Sequence, residues 1–297
     1  MANQKIERQS LYAEVTGKII AELEEGRLPW VQPWDSAACG CTMPHNAGTG
    51  RRYSGINVLI LWAEVVSRGY GSQRWLTYPQ AEAAGGHVRR GEKGVIVCYA
   101  DRFTPKGEQE QARNEDRDAR QIAFLKRFTV FNVDQCDGLP GEFSVAPVSL
   151  DPVLAIADAD ALIQTSGATF NIGGDEAFYS PGHDFVQVPP QAAFHEPVNW
   201  YRTALHELGH WTGHGSRLDR DQKGGFGSES YAKEELVAEM AAAFLCASLG
   251  IAPTVRHSDY IASWLLVLRD DDKAIFRAAS QASKAAEYLL AFAGDQP

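Results

Sequence analysis

The amino-acid sequence predicts an α+β chain of two domains, and three observations carry that expectation. Helical-period apolar stretches open and close the chain, so helices dominate both ends. Two strand-like stretches, residues 95–103 and 122–133, flank a charged segment and read as a long-tipped hairpin in the first half. A run bearing Pro and Gly, residues 138–148, then separates the halves. The boundary falls near residue 145, which gives expected domains at 1–140 and 150–297.

In order, the first helix is expected over residues 5–25. Leu11, Val15, Ile19 and Leu23 mark its apolar face, and Gly26 ends it. Residues 28–34 are too Pro-rich for a helix and read as packed irregular chain. The loop 44–53 combines flexible glycines with Arg51, Arg52 and Tyr53. Ser54 is placed to cap a helix over 55–67. Residues 74–78, Arg-Trp-Leu-Thr-Tyr, lead into a short helix over 79–84. A Gly-rich basic turn, 85–94, holds Arg89, Arg90 and Lys93 and feeds the first strand. Residues 104–121 are charged and poor in apolar side chains, so they are expected to be mobile.

The second half opens with Asp151 as N-cap and Pro152 at the first helical position, for a helix to about residue 166. Short strands are expected over 169–171, 177–179 and 185–188. Helices follow over 201–211, 230–249, 258–268 and 270–293. The loop 213–227 ends in Gly224-Gly225-Phe226-Gly227 and is expected to be flexible and to line a cleft.

Charge is unevenly shared. Residues 1–150 hold 18 basic and 18 acidic side chains, whereas residues 151–297 hold 10 and 20. The acidic half is thus no nucleic-acid surface. Between Arg51 and Lys93 stand seven basic and three acidic side chains, net +4. Five scattered cysteines argue for reduced thiols and the cytoplasm. Cys39 and Cys41 with His45 lack the second pair that a metal finger needs. No apolar run approaches the length that crosses a bilayer, and the polar N-terminus has no signal-peptide core.

Residues 206–210 read His-Glu-Leu-Gly-His. On a helix, His206 and His210 lie one turn apart on one face and can meet one metal ion. Glu207 follows the first of them and can reach a water on the same metal as general base. The nearby Glu235 and Glu239 are also i and i+4 on a helix, while Glu234 is expected to point elsewhere. A carboxylate pair at that spacing after such a motif resembles the gluzincin pattern. That resemblance assigns Glu235 as third ligand and Glu239 as the carboxylate orienting a histidine, and a solvated helix carboxylate is the plainer alternative for each. Zinc is the expected cofactor, and manganese, cobalt or nickel can occupy the same geometry. His257 and Tyr260 are candidate donors to an oxyanion.

The first half suggests a different partner. Basic residues interleaved with aromatics suit single-stranded DNA, because cations track phosphates and rings stack on bases. The candidates are Arg51, Arg52, Tyr53, Arg74, Trp75, Arg89, Arg90 and Lys93, with Trp34 as a possible platform.

The chain as a whole resembles the ArdC-type antirestriction proteins of conjugative plasmids. The likeness rests on Pro44-His45-Asn46 with residues 49–57, on residues 74–77 and 91–94, on His206 to His214, and on Glu234 to Glu239. It implies an N-terminal domain that binds single-stranded DNA, shared with certain plasmid primases. It also implies a C-terminal zincin-like metallopeptidase domain, and protection of incoming DNA from host restriction. The alternative is an active zinc metalloprotease, recruited to DNA, that cleaves a protein partner such as host restriction machinery. A primase-associated role is weaker, since no carboxylate set for nucleotidyl transfer is evident. No membrane partner is expected.

Overall fold

The structure is a computed structural model that describes residues 10–31, 42–115, 117–144, 152–225, 227–252 and 260–293. Trp34, Cys39, Cys41 and His257 lie outside the described residues. In chain order the elements are α1 (Leu11–Glu24), β1 (His45–Asn46), α2 (Ile56–Arg68), β2 (Arg74–Thr77), α3 (Tyr78–Ala83), β3 (His87–Val88), β4 (Val95–Phe103), α4 (Glu108–Asn114) and β5 (Ile122–Asn132). There follow β6 (Cys136–Asp137), α5 (Pro152–Thr165), β7 (Thr169–Ile172), β8 (Phe178–Ser180), β9 (Phe185–Val188), α6 (Pro197–Trp211), α7 (Glu229–Ser248), α8 (Ile261–Asp270) and α9 (Ala274–Leu290). The class is α+β, as the sequence predicts.

Two local expectations differ. The stretch 104–121 contains α4, with Glu108 and Glu110 in its first turn, where the helix dipole favours acids. Arg117 pairs with Glu108 at 2.5 Å and Ala112 is buried, so side-chain contacts order a segment whose composition reads as loose. Ser54 does not cap α2. Gly55 takes that position at φ 61°, and its N–H donates to Ser283 Oγ at 2.7 Å.

Packing divides the chain into two compact units. Unit 1 holds residues 1–45, 52–73 and 146–297, and unit 2 holds 46–51 and 74–145. This partition is not a single cut near residue 145, because α1 and α2 bury their apolar faces among the C-terminal helices. Trp62 of α2 meets Phe244 of α7 edge-on at 5.7 Å, and Trp30 meets Trp264 at 5.4 Å. Tyr12 of α1 packs on Phe276 of α9 at 4.7 Å, and Thr16 Oγ1 donates to the Asp272 carbonyl at 2.7 Å. Unit 1 also contains a three-stranded sheet, order β7-β9-β8, with β7 parallel and β8 antiparallel to β9.

Unit 2 is built on a sheet of order β1-β2-β5-β4, in which β4 and β5 pair over nine residues. Gly94 precedes β4 where a Cβ would strike Thr129 Cγ2 at 2.4 Å, so only glycine lets that strand start against β5. Thr77 and Gln80 form a reciprocal capping box on α3. Leu76, Ala81 and Val133 make a small core under them. Among the described residues no helix is long and apolar enough to cross a membrane.

Trp62 tests this packing, since it is fully buried against α7 although it lies 182 residues from its ring partner in sequence. Trp62→Ala should cost about 3–5 kcal/mol. Denaturant unfolding followed in the metal-bearing unit checks this, and a loss below about 1 kcal/mol would detach α2 from that core.

Candidate metal centre

The centre begins with how α6 and α7 approach. Pro197 opens α6, and Trp200 Nε1 donates to the Pro189 carbonyl at 2.9 Å, which fixes the chain entering the helix. Gly209 sits where a Cβ would lie 3.3 Å from Ala238 Cα, so the two helices touch backbone to backbone. That closeness carries the side chains of α6 onto those of α7.

Both Nε2 atoms turn to one carboxylate. His206 Nε2 lies 3.5 Å from Glu235 Oε2, and His210 Nε2 lies 3.4 Å from Glu235 Oε1. One ligand atom from each of these three residues falls within 4.8 Å of the others, a spacing that fits a divalent cation. Each Nδ1 turns to a second carboxylate. His206 Nδ1 is 3.6 Å from Glu239, and His210 Nδ1 is 3.2 Å from Glu234. A cation on the Nε2 side needs neutral imidazoles, and the hydrogen bond between His210 Nδ1 and Glu234 fixes that tautomer at His210.

Glu239 lies beside His206. Glu234 does not point elsewhere, as the helical spacing suggests. It is buried and accepts from Arg220 at 2.7 and 2.9 Å and from Gln222 at 3.0 Å. The reason is the loop after α6, which returns across the end of the helix. Arg220 also donates to Thr212 Oγ1 and the Gly209 carbonyl, and Gln222 to the His210 carbonyl. Burial disfavours charge on His210, but hydrogen bonds to Glu234 and Glu235 outweigh it and raise its pKa to about 10. Burial likewise pushes Glu234 up, yet His210 and Arg220 hold it down at about 2. Glu235 is held well below the usual carboxylate range by the two histidines, against its burial.

The three ligand candidates open onto a cleft of about 340 Å³, which Glu207, Phe178, Tyr179, Gly224, Tyr231 and Tyr260 also line. Tyr231 and Tyr260 hydrogen-bond through their hydroxyls at 3.0 Å. Burial, then Tyr260 and Glu235, push the Tyr231 phenol above its ordinary range. Tyr231 is absent from the sequence reading, although it lies one turn before Glu235 on the same helix face. Phe178 and Tyr179 belong to edge strand β8. Arg217 fixes that strand: it stacks 3.8 Å over Trp211, reaches Asp184 at 3.0 Å and Tyr179 at 3.2 Å.

The DNA-side candidates fare unevenly. Trp75 is 1% exposed, so it is a core residue and offers no ring to a base. Its strand β2 pairs with β5, and the Trp75–Asn132 register turns the ring inward. Arg89 spends its guanidinium on Glu92, Asp137 and the Asp134 carbonyl, and Arg74 donates to the Glu142 carbonyl. Arg51, Arg90 and Lys93 are exposed on unit 2. Arg52, exposed, and Tyr53, half-buried, belong to unit 1.

Fold and site together define a protein with a zincin-like metallopeptidase domain, and residues 157–281 match the family so described. Residues 9–131 match the N-terminal domain of the anti-restriction factor ArdC. The chain belongs to the ArdC antirestriction family. The metal-free crystal structure of antirestriction protein ArdC from plasmid R388 is 40% identical, with a TM-score of 0.80, over 97% of this chain and 99% of that one. Its Mn(II)-bound form is 39% identical with a TM-score of 0.79, over 97% of this chain and 100% of that one. Protein y4eC of Sinorhizobium fredii is 39% identical over 96% of this chain and 93% of its own length. An Escherichia coli DNA primase TraC is 40% identical over 96% of this chain, which spans 27% of that primase. The manganese on the R388 protein and the ligand set here agree on a divalent-metal site.

Two measurements follow from the geometry. His206→Ala/His210→Ala should empty the site by elemental analysis; retained metal would place it elsewhere. Glu234→Gln leaves all three ligand candidates intact and should weaken metal affinity roughly 10–100-fold in chelator competition. Wild-type affinity would reduce Glu234 to a loop anchor.

Proposed function

We propose that this chain is an antirestriction protein that binds single-stranded DNA and shields incoming conjugative DNA from host restriction, with zinc held by His206, His210 and Glu235. The observation that carries the reading is the conjunction, in one chain similar along its length to R388 ArdC, of the buried His-His-Glu centre and an N-terminal segment of that family. Family membership supports the DNA partner, and the exposed Arg51, Arg90 and Lys93 supply cations for its phosphates. Cys98, Cys136 and Cys246, which form no disulfide, fit the cytoplasm, where incoming DNA meets restriction enzymes.

A second reading, an active peptidase, draws on the cleft. A divalent cation there supplies Lewis acidity when bound. Glu207 faces the same cleft and is the group able to take a proton from the attacking water. The Tyr260 hydroxyl, held by Tyr231, is the donor to the oxyanion. Edge strand β8 offers main-chain groups to an extended peptide.

Glu207→Gln separates the readings, because it removes the base and leaves the ligands. Under the first, the variant protects DNA in a restriction assay in cells as the wild type does. Loss of protection with full metal content would instead make peptide hydrolysis the function. Should a protein substrate be cleaved, Tyr260→Phe is expected to slow cleavage about 10²–10³-fold, and an unchanged rate would remove Tyr260 from the chemistry.

A further inference from the structure

Unit 2 lacks the acidic excess of the rest of the chain. It holds 12 basic and 11 acidic side chains, net +1, in a chain whose total is −10. Within it, β4 and β5 form a ribbon in which directly opposed residues share a face. One face carries the pairs Val95–Val130, Val97–Phe128, Tyr99–Lys126 and Asp101–Phe124. It passes from core to solvent along its length: Val97 and Val130 are buried, whereas Tyr99 is 52% and Phe128 46% exposed.

The two exposed rings sit side by side, centroids 6.5 Å apart and nearly perpendicular at 79°. On β5, Phe124, Lys126 and Phe128 alternate on this face, and the Lys126 ammonium lies 5.3 Å over the Phe124 ring. Among the described side chains of this face, the rings of Tyr99, Phe124 and Phe128 stand with Lys126, a set that suits neither a core nor a usual protein interface, where lysine is depleted. They suit unpaired bases, which present ring faces beside a phosphate chain. A duplex keeps those faces stacked inside.

We propose that this face of the β4–β5 ribbon is the stacking platform for single-stranded DNA, with bases on Tyr99 and Phe128 and a phosphate beside Lys126. The proposal rests on the single-stranded-DNA reading above and moves the aromatic contacts from Trp75 to this ribbon.

Fluorescence anisotropy of a labelled oligothymidine with the full chain tests it. Tyr99→Ala and Phe128→Ala should each weaken binding about fivefold or more, while Tyr99→Phe keeps it. Lys126→Ala should lower the slope of log affinity against log salt by roughly 0.7. Both rings are exposed, so the variants should unfold at the wild-type temperature. Wild-type affinity in both alanine variants, with the parent protein still binding, would overturn the platform and leave the DNA reading intact. A parent protein that binds no single strand would overturn both.

Discussion

Helix α7 takes Glu234, Glu235 and Glu239 into the interior of unit 1, and a buried carboxylate without partners costs several kcal/mol. Everything around the helix answers that constraint. Glu235 faces two imidazoles, Glu239 faces the back of one of them, and Glu234 faces the back of the other together with Arg220. The backbone contact at Gly209 and Ala238 makes these distances possible. A Cβ at 209 would crowd Ala238, which would have to give way by a few tenths of an ångström. The site is therefore a property of one helix crossing, and the loop from Gly213 onward is tied to it through Arg220 and Gln222.

The same crossing sits on a wide foundation. Phe244, one turn beyond Met240 on α7, receives Trp62 from α2, so α1 and α2 help build the unit that bears the metal centre. The family segment 9–131 and the compact units cut the chain differently for that reason. Helices α1 and α2 belong by sequence to the first segment and by packing to unit 1. Charge divides with the packing: unit 2 is nearly neutral and the acidic excess lies in unit 1. The buried carboxylates of the centre in unit 1 suit a cation.

What the sequence revealed was local. His206, Glu207, His210 and Glu235 follow from helical spacing, because i and i+4 share a face whatever the surroundings. Most helix and strand positions follow from the same periodicities. What it hid was tertiary. Glu234 gains its role from Arg220, whose return across α6 no periodicity encodes. Trp75 reads equally as a core ring or as a stacking candidate beside Arg74, and its burial depends on pairing with β5, more than fifty residues away. The alternation of Phe124, Lys126 and Phe128 was visible as period two, yet which face stays open depends on what covers the sheet. The packing of α2 on α7 is a contact across the linker, which a boundary drawn from composition necessarily severs.

X-ray absorption at the edge of the bound metal tests the central claim most directly. The account predicts two imidazole nitrogens and carboxylate oxygen at about 2.0–2.2 Å, with one imidazole lost in His210→Ala and the carboxylate altered in Glu235→Gln. Sulfur in the coordination sphere, or a spectrum unchanged in both variants, would contradict it.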